Sequence, residues 1–340
     1  MMSLLAACMA FIAALLVTHL ICDPASRLHI LDHPNERSLH TQPVPRTGGV
    51  AILTGIAAGV LLLYGIADFS FATVGWIASG AVIVAVLSLI DDRQKLSVRV
   101  RLLGQLASAG LVVAGGLWLR ESGLPGAGWA WAPTIGMAVS MLYLVWMVNL
   151  YNFMDGMDGF AGGMAVIGFG AFALLGALAG NPTYMATSLI IAAAAAGFLV
   201  FNFPPARIFM GDGGSATLGL LAGGLSLWGA RDGVFPFWIA LLIFSPFTVD
   251  ATATLLRRLG RGERVWQAHK SHYYQRLVLS GWGHRKTVLY EYVLMLACGL
   301  SALFARQLNT SGQAALILFW CLAYPLMMIG VHHLEKKKNS

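Results

Sequence analysis

Charge is scarce in this chain: 11% of its 340 residues are Asp, Glu, Lys or Arg, where a soluble domain carries about 25%. The deficit runs along the whole length and argues for a polytopic membrane protein. Cysteine is scarce too. Cys8, Cys22, Cys298 and Cys321 are the only four. All lie in or beside apolar runs and form no C-x-x-C pair, so neither a disulfide framework nor a zinc site is expected. They read as small core or lipid-facing residues. There is no internal repeat, and no polar stretch is long enough to form a soluble domain. The first apolar run has no basic segment ahead of it, so it reads as a spanning helix rather than a signal peptide.

Long hydrophobic runs are what the chain does have. Eleven are long enough to cross a bilayer as helices of roughly 17–22 residues. They fall at about 3–22, 48–66, 71–90, 102–119, 133–151, 160–179, 185–203, 215–230, 235–256, 288–306 and 313–332. The expected fold is all-α, a single transmembrane unit over 1–340 with about eleven transmembrane helices. Dense Gly and Ala, as in "IIAAAAAG", suits close helix–helix contact in lipid. The loops after odd-numbered spans are expected near 23–47, 91–101, 152–159, 204–214 and 257–287. With the C-terminal tail, they hold every Lys and Arg except Arg120, Arg231 and Arg306. The positive-inside rule makes that side cytoplasmic, with the N-terminus periplasmic and the C-terminus cytoplasmic.

The acidic residues are the sharper clue, because that rule says little about them. Asp91, Asp92, Asp155, Asp158 and Asp212 all fall on the expected cytoplasmic side. Asp91 and Asp92 are adjacent and repel unless a cation sits nearby. Arg93 or Lys95 could supply it, or else a divalent metal. In "NLYNFMDGMDGFAGG", Asn152, Asp155 and Asp158 recur every three residues and share one face if that segment is helical. The plainer alternative is that the Asp-Gly pairs punctuate a turn. "GDGGS" sets Asp212 among glycines before a helix, where backbone N–H groups and the helix N-terminus favour phosphate and the carboxylate favours Mg²⁺. The loop Arg257–Lys286 is strongly basic and suits either an anionic lipid surface or phosphate contacts by His269, His272 and arginine. A third basic loop, with Arg37, His40 and Arg46, leads into "TGG" before the second span. Inner-face carboxylates with basic loops suit phosphoryl chemistry at a membrane surface. A transporter of an anionic solute is the rival of another class, but transporters put their key charges near mid-membrane. Here only Asp250 lies well inside a span.

The motifs "PRTGG", "DD", "NLYNFMDGMDG", "FNFPPARIFMGDGGS" and a basic His-containing loop occur in that order. Together they resemble the polyprenyl-phosphate N-acetylhexosamine-1-phosphate transferase superfamily over nearly the whole chain. The resemblance implies transfer of a sugar 1-phosphate from a UDP-N-acetylhexosamine to undecaprenyl phosphate, with release of UMP. It implies Mg²⁺, with Mn²⁺ as a substitute, and a bacterial inner-membrane location. It implies a membrane-lipid setting without a nucleic-acid partner; dimers are common among such enzymes. The last loop reads "AHKSHYYQRL" rather than a run of three histidines, which is similar to the O-antigen-initiating branch; peptidoglycan lipid I synthesis is the alternative. By the same resemblance Asp212 would ligate the metal, Asp91 and Asp92 would orient or deprotonate the lipid phosphate, and Asp92 would help with the metal. Asn152, Asp155 and Asp158 would hold the nucleotide-sugar, with Phe209 near uracil and Asn202 near the ribose or metal. His269, His272 and Arg276 would bind the sugar pyrophosphate.

Overall fold

A computed structural model describes residues 1–34, 39–66, 71–94, 96–264 and 269–339, without the side chains of Asp92, Arg93 and Asn339. Arg37 and Lys95 therefore lie outside the described residues. Helices dominate: α1 (Met2–Cys22), α2 (Gly48–Ile66), α3 (Ala72–Gln94), α4 (Val98–Ala114), α5 (Pro133–Phe153), α6 (Phe160–Leu178) and α7 (Pro182–Asn202). They continue with α8 (Asp212–Arg231), α9 (Phe237–Ile243), α10 (Ser245–Gly260), α11 (Tyr273–Leu277), α12 (Gly283–Ala305) and α13 (Thr310–Asn339). A π-helical turn, Val278–Trp282, joins α11 to α12. Eight helices are long and apolar enough to cross a membrane, counting α11 and α12 as one, and the bent pair α9–α10 makes a ninth. This is an all-α polytopic membrane protein.

Every expected span has a helix under it, but α4 and α8 are not among these candidate spans, and two other runs depart in kind. The run 235–256 is not one helix: α9 and α10 meet at 79°. Pro246, at the start of α10, has no N–H to continue the α9 ladder. The Ser245 hydroxyl instead donates to the Leu242 carbonyl at 2.6 Å. The last run extends well past 332, so the tail lysines Lys336–Lys338 belong to α13.

α8 is the centre of the bundle. It is buried from Gly213 to Gly229, packed by α3 and α5 and reached also by α2 and α7. A helix with no lipid face can be rich in Gly, Ser and Thr, and small residues let its neighbours close in. The closest approach is at its first turn. A Cβ on Gly49 of α2 would overlap the backbone N and Cα of Gly214, and one on Gly214 would overlap Gly49. Two helix N-termini therefore cross backbone to backbone. The crossing is reinforced by N–H donation from Gly48 to the Phe209 carbonyl (2.9 Å) and from Gly49 to the Met210 carbonyl (2.7 Å). The glycines of "TGG" and "GDGGS" thus serve packing first.

Gly49→Ala is accordingly expected to destabilise by roughly 1–3 kcal/mol or more, although Gly→Ala normally favours a helix. A lower thermal unfolding midpoint in detergent is the readout. An unchanged midpoint would mean the crossing can open without cost.

Candidate active site

The loop between α5 and α6 is not the helical face that its spacing suggested. α5 ends at Phe153 and is capped at Met154, so Asn152 is helical while Asp155 and Asp158 lie in the turn that follows. Gly159 closes that turn at φ 72°, a left-handed position suited to glycine. Main-chain groups of this turn are held from outside. Gly159 donates its N–H to Asn202 Oδ1 at 3.0 Å and accepts from the Tyr292 hydroxyl at 2.7 Å. The buried Tyr274 hydroxyl donates to the Phe153 carbonyl at 3.2 Å.

Asn202, at the end of α7, also donates its amide to the Ile208 carbonyl at 2.8 Å. Both ends of its amide are engaged by protein, so it joins two loops while also lining the cavity described below. Asp158 is tied to the same loop, with Oδ2 accepting from the Ala206 N–H at 3.0 Å. Its Oδ1 lies 2.9 Å from Nδ1 of His284, on the first turn of α12. Asp212 opens α8, and Oδ1 accepts from the Asn152 amide at 2.9 Å. Asn152 also donates to the Ser215 hydroxyl at 3.1 Å. Asn152 thus orients the carboxylate.

The first loop forms a wall of the site. Its short antiparallel strands, β1 (Leu31–Asp32) and β2 (Val44–Pro45), are fastened to the α7–α8 loop by the Phe209 N–H, which donates to the Pro45 carbonyl at 2.7 Å. The His40 ring lies 4.8 Å from that of Phe209. His40 and Arg46 flank Asp32 at 3.8 and 3.9 Å. These loops enclose a cavity of about 250 Å³. The α5–α6 loop lends it Asp155 and Asp158, and the next loop lends Asn202, Phe209 and Asp212. Asp32, His40 and Arg46 close one side, and Gln275 and His284 another.

Other expected site residues lie away from this lining. Asp91 is engaged in the α3–α4 turn, accepting from the Leu96 N–H at 2.6 Å and from Arg101 at 3.2 Å. The Asp92 side chain lies outside the described residues. His272 is buried, with Nδ1 3.4 Å from Oδ1 of Asp250. Asp250 also accepts from the N–H groups of Tyr273 (2.9 Å) and Tyr274 (3.0 Å). Arg276 turns from the cavity to Glu335 of α13, with contacts of 2.6 and 2.5 Å, and lies over the Tyr273 ring. His269 stacks near His272 with ring centroids 4.8 Å apart. Burial, then the nearby His272 and Arg258, push the His269 imidazole down to about 4, so it is neutral at pH 7. The basic loop is largely self-supporting. Arg257 donates to the Ser271 carbonyl (2.6 Å) and Arg258 to Glu263 (2.7 Å).

Residues 74–230 match the sequence pattern of glycosyl transferase family 4. The chain is 34% identical over 311 residues to the probable undecaprenyl-phosphate N-acetylglucosaminyl 1-phosphate transferase of Bacillus subtilis (strain 168), covering 87% of this chain and 84% of that one. The chain belongs to glycosyl transferase family 4. It is also similar to the decaprenyl-phosphate N-acetylglucosaminephosphotransferase of Mycobacterium tuberculosis (strain CDC 1551 / Oshkosh), 31% identical over 343 residues with 90% and 84% covered. The phospho-N-acetylmuramoyl-pentapeptide-transferase of Moorella thermoacetica is 30% identical over 276 residues with 76% and 83% covered. The superfamily read from the motifs is therefore the right one.

Within a family 4 site, several cavity groups carried no assigned role in the sequence. Asp32, Gln275 and His284 lie beside motif residues only after folding, and nothing in their spacing marks them. His40 and Arg46 were visible only as part of a basic loop. The donor chemistry of the cavity fits Mg²⁺. Asp212 and Asp155 supply hard oxygen atoms, and among the described residues no three His, Cys, Asp or Glu side chains form a metal cage. Mg²⁺ needs no such cage, being held by one or two carboxylates, waters and substrate phosphates.

Asp250→Ala should leave two main-chain N–H groups without an acceptor, at about 1–3 kcal/mol each if they stay buried. Trypsin is expected to cut the variant faster after Arg264 and Lys270 than the native chain. Equal rates would show that the loop is anchored otherwise. For His269, the depressed folded value means stability is present above its unfolded value of 6.5 and is lost as pH falls from there toward 4. Ring NMR shifts should show it neutral at pH 5.5, and a titration midpoint near 6.5 would contradict the burial.

Proposed function

We propose that the chain transfers a sugar 1-phosphate from a UDP-N-acetylhexosamine to undecaprenyl phosphate, giving undecaprenyl-diphosphate-sugar and UMP. The observation that carries this reading is one cavity, built from three loops, that presents Asp155, Asp158 and Asp212 together with His40, Arg46 and His284. Carboxylates can hold a divalent ion and cations can hold phosphates, and phosphoryl transfer needs both. A lipid phosphate requires this pairing at the ends of membrane-crossing helices. Relatives of Bacillus subtilis and Mycobacterium tuberculosis, named for N-acetylglucosamine, make that sugar the first donor to test. The pathway we infer is initiation of O-antigen or a related cell-surface polysaccharide. We place the enzyme in the bacterial inner membrane with the cavity facing the cytosol, as its basic loops favour.

Mg²⁺, when bound, would neutralise charge on the donor phosphates, held by Asp212 with Asp155 beside it. Asn152 keeps the Asp212 carboxylate aimed. By the family resemblance Asp91 and Asp92 would serve the acceptor phosphate, and the Arg101 contact fixes the Asp91 carboxylate. An oxygen of the lipid phosphate forms a bond to the β-phosphorus of the donor. The bond from that phosphorus to the UMP oxygen breaks, and UMP leaves with the electron pair.

Purified protein given undecaprenyl phosphate, Mg²⁺ and a panel of UDP-N-acetylhexosamines should release UMP with one donor. Asp212→Asn is expected to lower the rate at least about 10²-fold, the scale for loss of one group stabilising transition-state charge. Chelator should abolish it. Full activity in Asp212→Asn would sink the role given to that residue, and no UMP from any donor would sink the reaction.

A further inference from the structure

The cavity that holds Asp212 adjoins a second, wider one. The inner chamber measures about 250 Å³ and the outer about 500 Å³. Both are lined by Leu39, His40, Asp158, Phe209 and His284, which therefore form the neck between them. The chambers differ in chemistry. Asp155 and Asp212 face only the inner one, whereas the outer is finished by Thr41, Gln42, Arg285 and the Pro204–Pro205 turn.

His284 is built into that neck. Its side chain is 20% exposed, and Nδ1 lies 2.9 Å from Asp158 Oδ1. Asp158 is itself fixed by the Ala206 N–H, so it anchors the imidazole. The ring thus lies beside the Asp158 carboxylate and the Leu39 main chain, and it lines both chambers. The basic residues expected to hold the pyrophosphate are committed elsewhere: Arg276 to Glu335 and the buried His272 to Asp250.

We propose that His284 is a donor-binding residue that contacts the diphosphate of the nucleotide-sugar at the neck. The sugar 1-phosphate lies in the inner chamber beside Asp212, and the nucleoside lies in the outer one. The assignment rests on the donor class given above. A nucleotide diphosphate sugar has two bulky ends joined by an anionic link, and the site has two chambers joined by a neck where His284 sits. Alongside Arg285, the outer chamber offers Thr41, Gln42 and the Phe209 side chain to a nucleoside. The inner one offers carboxylates to a metal-bound phosphate. UMP, once released, already lies on the outer side.

The test uses the full chain in detergent and measures binding of UDP and of uridine, with UMP release and the KM for each substrate. In His284→Ala, UDP affinity should fall roughly tenfold to a hundredfold, the scale for one charge-assisted hydrogen bond to phosphate. Uridine affinity and the KM for undecaprenyl phosphate should hold. His284→Gln, which keeps a donor able to reach Asp158, should recover part of the UDP affinity and should fold normally by thermal midpoint. If UDP and uridine weaken alike in both variants, His284 only props the loop and the proposal is wrong. If UDP affinity is unchanged, the diphosphate lies elsewhere and the proposal is wrong while the transferase reading stands. If the native chain binds UDP but releases no UMP from any donor, the transferase reading fails. The neck assignment then stands or falls on UDP affinity in the variants. If the native chain binds no UDP, both fail.

Discussion

The loops that carry the carboxylates are tied to one another by single side chains bonded to distant main-chain groups. Among the described residues no extended sheet supports them, only the two short strands of the first loop. Asn202 spans Gly159 and Ile208, Asp158 reaches Ala206, Asp250 reaches Tyr273 and Tyr274, and Tyr292 reaches Gly159. Buried main-chain donors need partners, and a side chain that supplies one also fixes the distance between two loops. The positions of Asp155, Asp158 and Asp212 depend on these ties. Several polar residues that look like substrate ligands in sequence, Asn202 and Asp158 among them, thereby also hold loops together.

This explains what could be read from the sequence. Helices with a lipid face announce themselves by hydropathy, so α1–α3, α5–α7 and α13 were plain. α8 shows through its apolar run although Gly, Ser and Thr dilute it, because burial on all sides replaces greasiness as the requirement. The break between α9 and α10 was missed because Pro246 sits near a helix start, where proline is well tolerated, so the apolar run read as continuous. Asp250 stood out as an odd charge within that run. Its partners, the Tyr273 and Tyr274 N–H groups, lie more than twenty residues away and have no signature.

The site shows the same division. Asp155, Asp158, Asp212 and Phe209 line the cavity their motifs pointed to. The three-residue spacing of Asn152, Asp155 and Asp158 suggested a helical face, yet a turn brings the two aspartates to the cavity. The basic loop, read as suiting either phosphate or an anionic lipid surface, is partly held by its own arginines. Arginines 257, 258 and 276 each bond within the loop or to α13, as guanidinium groups do where planar pairing is available. His284 went unassigned because a lone histidine two residues after "SGW" resembles any helix start.

The burial of α8 has one more consequence. Asp212 rides on a long helix that is enclosed along nearly its whole length, so bilayer thickness and lipid packing act on it through other helices. α13 and α1, by contrast, turn much of their surface outward, with Leu326, Ile329 and Leu4 strongly exposed. Hydrophobic mismatch is met by tilting of lipid-facing helices, so the bundle divides into an adjustable rim and a fixed axle. The bundle can thus follow local changes in its membrane while Asp212 keeps one depth.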